Sequence, residues 1–228
     1  MPARARSVVG GVVYHVLNRG NARMRIFEKD ADYAAFEKVL AQGQQRESIR
    51  LLAYCLLPNH WHLVLWPRAG ADRQLSEYMR WVTVTHTQRW HAHRHSSGSG
   101  HLYQGRFKSF PVKDDAHLLS VCRYVERNAL RGNLVERAEA WRWGSLWRTR
   151  HEADGEAPQL AAWPVDRPRN WVWRVNQPES EAELAALRRS VVRGAPYGDD
   201  VWSRRMAERL NLAHTQRPRG RPRKVREK

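Results

Sequence analysis

Ile49 to Leu57, the pair Pro58-Asn59, and then His60-Trp61-His62-Leu63-Val64-Leu65-Trp66 form the stretch on which the fold turns. Both flanking runs are β-rich and apolar, and a tight turn between two such runs predicts a hairpin. The second run is apolar almost throughout, which predicts a strand buried on both faces and therefore central in its sheet. Upstream, Gly11 to Asn18 alternates Val12, Tyr14 and Val16 against Val13, His15 and Leu17, and the turn signal Asn18-Arg19-Gly20-Asn21 follows. That is the pattern of a strand. Between it and the hairpin, Asp30 is the expected N-cap of a helix to about Arg46, with Tyr33, Phe36, Val39 and Leu40 at helical spacing.

Downstream, Pro67 to Ala71 breaks the pattern, and Leu75, Met79, Val82 and His86 then mark one face of a long helix to about His93. A Ser/Gly loop follows at Ser96 to Gly100. Arg106 to Val112 reads as a short strand, and Asp115 opens a further helix through about Leu130. The order β-α-β-β-α-β plus one helix predicts an α+β, ferredoxin-like antiparallel sheet with helices on one face and the first and third strands central. From about Glu152 the composition turns to Pro, Asp and Gly, and helical patterns return at Glu179–Val192 and Asp199–Leu212. The expected organisation is a main domain at 1–150, a Trp/Pro-rich linker at 151–178, a C-terminal helical segment at 179–213 and a basic tail at 214–228.

Lys and Arg number 40 against 23 Asp and Glu in 228 residues, a formal charge of +17. Such a charge points to a polyanionic partner, nucleic acid before others. A hydrophobic share of 42% excludes wholesale disorder. Two cysteines, Cys55 and Cys122, exclude a disulfide framework and a cysteine-only zinc module, and fit a reducing interior. No apolar run approaches the ~20 residues that span a bilayer, and the basic start, Pro2 to Gly11, is a poor secretory signal. The expectation is a cytoplasmic, nucleoid-associated protein with no membrane partner, a monomer being favoured.

The chemistry centres on His60-Trp61-His62. Residues i and i+2 of a strand face the same way, so both imidazoles project together and are placed to share one metal. Buried in a central strand they need a partner, either a metal or backbone and water. On the helix after the fourth strand, Leu118, Cys122, Val125 and Ala129 form the core stripe, with Tyr124, Asn128 and Arg131 on a polar stripe beside it. If that stripe overlooks the sheet edge near the histidines, two nitrogens and one amide oxygen converge with open positions left over. That set suits Mg²⁺ or Mn²⁺ better than a closed zinc site. Of seven tyrosines, only Tyr124 has such an oxygen one helical turn away; Tyr103, near Arg106 and expected to be exposed, is the alternative.

Leu57-Pro58-Asn59-His60-Trp61-His62-Leu63-Val64-Leu65, followed by Tyr124-Val125-Glu126-Arg127-Asn128, resembles the single-tyrosine His-hydrophobe-His (HUH) transposases, most closely the REP-associated tyrosine transposases of bacteria. Tyr14-His15-Val16-Leu17-Asn18-Arg19-Gly20, Gln104-Gly105-Arg106-Phe107-Lys108, Trp141-Arg142-Trp143-Gly144-Ser145 and the segment Ser190 to Asp199 extend the resemblance over nearly the whole chain. One departure is Ala129, where relatives often carry proline; it is expected to affect helix geometry rather than chemistry. The resemblance implies cleavage and rejoining of hairpin-forming, REP-like single-stranded DNA, with His60, His62 and Asn128 as metal ligands and Tyr124 as nucleophile. The product would be a 5′-phosphotyrosine and a free 3′-hydroxyl. A free phenol has a pKa near ~10, and Arg123, Arg127, Arg131 and the metal are the cations expected to favour its ionisation.

For holding DNA, Arg106 and Lys108 beside Phe107 are candidate phosphate contacts, with Arg131. In the tail, Arg219-Gly220-Arg221 between prolines resembles an AT-hook, in which arginines enter a narrow minor groove; a basic tail without sequence preference is the alternative. Trp141, Trp143 and Trp147 are expected to seal a core, and Trp163, Trp171 and Trp173 to clamp the linker onto the domain. His91, His93 and His95 read as a solvated helix end. Two other functions remain open on sequence grounds: a non-catalytic DNA-binding protein working through its tail, and a metal phosphodiesterase in which water attacks.

Overall fold

The computed structural model describes residues 7–151 and 156–217. Four strands, β1 (Val13–Arg19), β2 (Arg50–Leu57), β3 (His60–Trp66) and β4 (Lys108–Val112), form one antiparallel sheet in the order β2-β3-β1-β4. The first and third strands are therefore central, as the apolarity of His60 to Trp66 requires. Helices α1 (Asp30–Glu47) and α2 (Gln74–His93) cover one face. The wholly buried Trp61 stacks on Phe36 there, ring centroids 5.8 Å apart. Its Nε1 donates to the Tyr103 hydroxyl (3.0 Å), which in turn donates to Nδ1 of His86 (2.6 Å). Tyr103, expected to be exposed, is thus a core residue: two partners satisfy its hydroxyl deep in the fold.

The opposite face is covered by α3 (Ala116–Glu126), α4 (Asn128–Arg131), α5 (Ser145–Arg148) and α6 (Trp171–Asn176). Asp115 caps α3 as expected, its carboxylate accepting from the His117 amide at 2.9 Å. The helix expected to run unbroken to Leu130 is interrupted at Arg127, so Tyr124 and Asn128 stand on successive short helices. The cap of α1 also differs: Asp32, not Asp30, closes the N-terminus, accepting from the amide of Glu28 at 2.8 Å.

Both sheet edges are covered, which removes the hazard of unpaired strand groups. On β2, the Leu56 amide donates to the Trp143 carbonyl and the Ala161 amide to the Leu51 carbonyl. Beyond β4, where Pro111 is tolerated because the strand is an edge, Lys113 and Pro111 exchange backbone hydrogen bonds with Tyr197. The stretch read as a linker is packed rather than loose: Leu160 bridges to Leu51, Trp163 Nε1 donates to the Leu52 carbonyl, and Trp171 and Val175 are buried. Trp173 is 61% exposed and clamps nothing. Helices α7 (Glu181–Arg193), α8 (Asp200–Arg209) and α9 (Ala213–Gln216) follow. Among the described residues no helix is long and apolar enough to cross a membrane. The AT-hook-like Arg219, Gly220 and Arg221 lie outside the described residues.

Candidate active site

In β3 the alternation puts Trp61 toward α1 and α2 and His60 and His62 toward α3. The two imidazole centroids are 5.1 Å apart. Register then adds a third imidazole that sequence reasoning missed. Pairing of Leu17 with His62 and of His15 with Val64 sets His15 diagonally beside His62 on the same face. His15 Nε2 and His62 Nδ1 lie 2.8 Å apart, hydrogen-bonded. The signal was present, since Val13, His15 and Leu17 form one side of β1, but no local pattern says which residue of β3 that side meets.

Burial holds all three rings neutral. It pushes His15 down to about 3 and, helped by Arg19 and Arg131, His60 down to about 4. His62 is driven well below the ordinary imidazole value, by burial first and then by His15, His60 and the two arginines. The Nδ1 of His60 faces Asn59 Oδ1 at 2.6 Å. That oxygen only accepts, so Nδ1 carries the proton and the Nε2 lone pair of His60 is left bare. If His62 donates from Nδ1 to His15, its Nε2 is bare as well.

Tyr124 projects from α3 onto this pair. Its ring meets His62 edge-on at 5.8 Å between centroids and His15 at 6.3 Å. The helix thus lies over the sheet face, across β2 and β3, rather than along an edge. The Arg131 guanidinium sits 4.1 Å from the Tyr124 ring centroid, within cation–π range. It also donates to Asn128 Oδ1 at 2.9 Å. Asn128 is buried, and its Nδ2 is one of the buried side-chain atoms without a hydrogen-bond partner. The other tyrosines are committed elsewhere: Tyr14, Tyr54, Tyr78 and Tyr103 donate hydroxyl hydrogen bonds within the core, Tyr33 stacks between Phe27 and Trp143, and Tyr197 flanks β4.

Two expected neighbours of the phenol are not there. Arg123 donates to the carbonyls of Gln177 and Pro178, and Arg127 to those of Val175 and Asn176. Both turn toward the end of α6 and the chain that follows it. Glu179, nearly buried, pairs with Arg127 and with Arg131, each at 3.2 Å. On the neighbouring turn Glu126 accepts from Ser145 Oγ and Trp171 Nε1, both at 2.6 Å. The C-terminal segment therefore fixes the helix that carries Tyr124, and Arg131 alone of the three arginines faces the ring. Ala129 is fully buried, in keeping with a role in packing. Lys108 is exposed and pairs with Leu17, so it lies on the histidine face, while Arg106 is exposed just before β4. His91 is bonded to Ser96 at the end of α2.

Among the described residues no group of three or more His, Cys, Asp or Glu is arranged to hold a metal ion. A site here must recruit another donor type, and Asn128 is the buried candidate. Two neutral imidazoles, together with a buried carboxamide whose Oδ1 accepts from Arg131 and keeps a second lone pair, fit a divalent cation that accepts nitrogen and oxygen ligands.

Residues 8–128 match the family described as "Transposase IS200 like", more than half of the chain, and the protein belongs to that family. A solved REP-associated tyrosine transposase bound to a REP hairpin shares the fold, with a TM-score of 0.50, 14% identity, and coverage of 71% of this chain and 100% of that one. A putative transposase from Deinococcus radiodurans is more distant, with a TM-score of 0.38, 16% identity, and coverage of 54% and 95%. No curated protein matches the chain at a significant level.

Proposed function

We propose that this transposase cleaves and rejoins hairpin-forming, REP-like single-stranded DNA through a covalent 5′-phosphotyrosine on Tyr124. The observation that carries the reading is the packing of the Tyr124 ring against His62, 5.8 Å between centroids, with Arg131 over its other side. The solved relative described above binds a hairpin of the kind proposed as substrate.

The Tyr124 oxygen attacks phosphorus, and the Oη–P bond forms as the P–O3′ bond breaks. The phenol proton passes to solvent and the departing O3′ takes one up, which leaves a free 3′-hydroxyl. Because the phosphotyrosine is still a diester, another 3′-hydroxyl can reverse the exchange and join strands. Arg131 sits where it can face the phosphate charge. His60, His62 and Asn128 would hold Mg²⁺ or Mn²⁺, which when bound supplies positive charge against the non-bridging phosphate oxygens. Glu126 and Glu179 hold the tyrosine's helix in place.

Incubation with a single-stranded hairpin oligonucleotide and Mn²⁺, followed by mass mapping, is expected to yield a protein–DNA adduct on the peptide containing Tyr124, absent when the metal is chelated. Cleavage without any covalent species would instead mean attack by water, and no cleavage at all a purely binding protein.

His15 is the positioning residue of this site. When its Nε2 accepts from Nδ1 of His62, it selects the tautomer whose Nε2 is a ligand, the common second layer of metal-bound histidine. His15→Phe fills the same buried space without a nitrogen. It is expected to weaken Mn²⁺ binding, read by titration calorimetry, about 10–100-fold with the melting temperature little changed. Unaltered Mn²⁺ affinity would remove His15 from the site.

A further inference from the structure

A trough of about 1000 Å³ runs along the outer side of β4, walled on one side by the strand and on the other by α7 and α9. Its lining contains Arg106, Lys108, Arg193, His214 and Arg217 and, among the described residues, not one acidic residue. Lys108 and Arg217 are exposed, and among the described residues neither is in an ion pair. A second hollow lies beyond Arg193 and Thr215, which line both, and adds Arg189 and Arg204 against the single acid Asp200. A basic channel thus passes from β4 to the C-terminal helices. The wall made by α7 and α9 lies beyond residue 128, where the match to the transposase family ends.

The residues in and just before β4 that line the trough, Phe107, Ser109 and Pro111, lie with Tyr14 on the side of the sheet away from the histidines, and Lys108 is the one that joins the trough to the reacting face. His62 pairs with Leu17, and Leu17 pairs with Lys108, so the three side chains share one row and one side of the sheet. Two interstrand steps of roughly 4.8 Å separate the first from the last. A strand engaged at Tyr124 and His62 would therefore reach Lys108 within about two nucleotides and continue over the edge of β4.

We infer that this trough binds a single-stranded DNA segment continuous with the strand held at Tyr124, gripping its phosphates through Lys108, Arg217 and Arg193. The inference rests on the reading of the site as one that processes single-stranded DNA. Charge decides the occupant. A phosphate backbone complements a lining that carries Lys108, Arg193 and Arg217. Size decides the form: about 1000 Å³ holds a few nucleotides of one strand, not a duplex.

The test uses the full chain carrying Tyr124→Phe, so that no turnover confuses binding, and a single-stranded oligonucleotide with a photoreactive thymidine stepped along it. Cross-links are expected on the peptides containing Lys108 and Arg217. Lys108→Glu with Arg217→Glu is expected to weaken oligonucleotide binding at least tenfold at about 0.1 M salt. It should also lower the slope of log affinity against log salt by about 1.4, two phosphates at about 0.7 each. Arg73→Glu with Arg80→Glu, the same charge change at exposed positions at and beside the start of α2, should leave that slope unchanged. Cross-links confined to other peptides, or an unaltered slope in the Lys108/Arg217 variant, would overturn the inference. Trough cross-links from a protein whose unmutated form gives no Tyr124 adduct would sink the covalent mechanism alone; an adduct with no trough cross-links would sink the trough alone.

Discussion

Tyr124→Phe is expected to abolish the covalent DNA adduct, lowering strand cleavage by more than about a thousandfold, while DNA affinity changes less than twofold. The substitution removes one oxygen and leaves the ring, which is 7% exposed and wedged edge-on against His62 beneath Arg131. Packing, the His15–His62 hydrogen bond and the basic surface all stay as they are, so a structural collapse cannot account for the loss. Removing a nucleophile commonly costs several powers of ten because every later step depends on it. Denaturing gels of labelled oligonucleotide with each protein read the result directly. An adduct that persists, on this residue's peptide or another, would show that a different group attacks. The remaining hydroxyls give that outcome little room, since those of Tyr14, Tyr54, Tyr78 and Tyr103 are already donors inside the core.

The second large effect is on stability. Arg148 in α5 donates to Glu37 Oε2 at 2.7 Å, and the Tyr54 hydroxyl donates to Oε1 at 2.5 Å. The carboxylate and the guanidinium are both nearly excluded from water. Arg148→Met keeps the volume and strands a buried carboxylate, which is expected to cost about 3–5 kcal/mol near pH 8. The pH dependence has a definite sign. Burial raises the Glu37 carboxyl above its usual value even against the opposing pull of Tyr54 and Arg148. The folded state therefore holds that proton more tightly than the unfolded chain. Its contribution is fully present below the unfolded pKa, about 4.3, and is lost as pH rises through the folded value. With Arg148 gone the folded value rises further, so urea unfolding should show a smaller penalty at pH 5 than at pH 8. Adding Glu37→Gln should restore most of the stability at pH 8, since a neutral amide needs no counter-charge. A penalty equal at both pH values and unrelieved by the second change would mean that packing, not charge, is what Arg148 supplies.

These two sites differ in how they could be found. The candidate set around Tyr124 was legible because Tyr124 and Asn128 are four residues apart, a helical spacing, and His60 and His62 share a strand face, both readable from local backbone period. Glu37 was not: it lies beside the apolar stripe of α1 and meets its partner 111 residues later. The same distinction holds at the reaction centre. His15 looked like a strand residue among others until the register of β1 against β3 brought it to His62, 47 positions away. Arg123 and Arg127, near Tyr124 in sequence, turned out to serve the end of α6 and the chain after it, while Glu179 reached back to hold Arg131.

By itself the sequence determined the strand and helix order, the central place of His60 to Trp66, the shared face of the two histidines, and the basic character of the whole. Each follows from periodicity or composition, which neighbouring residues carry among themselves. Only the tertiary structure decided that α3 lies over the sheet face opposite α1 and α2, that a third imidazole lies beside the pair, and that a basic trough opens beside β4. Those outcomes depend on strand register and on which face each helix lands upon, and such choices are settled by contacts between residues tens to a hundred positions apart.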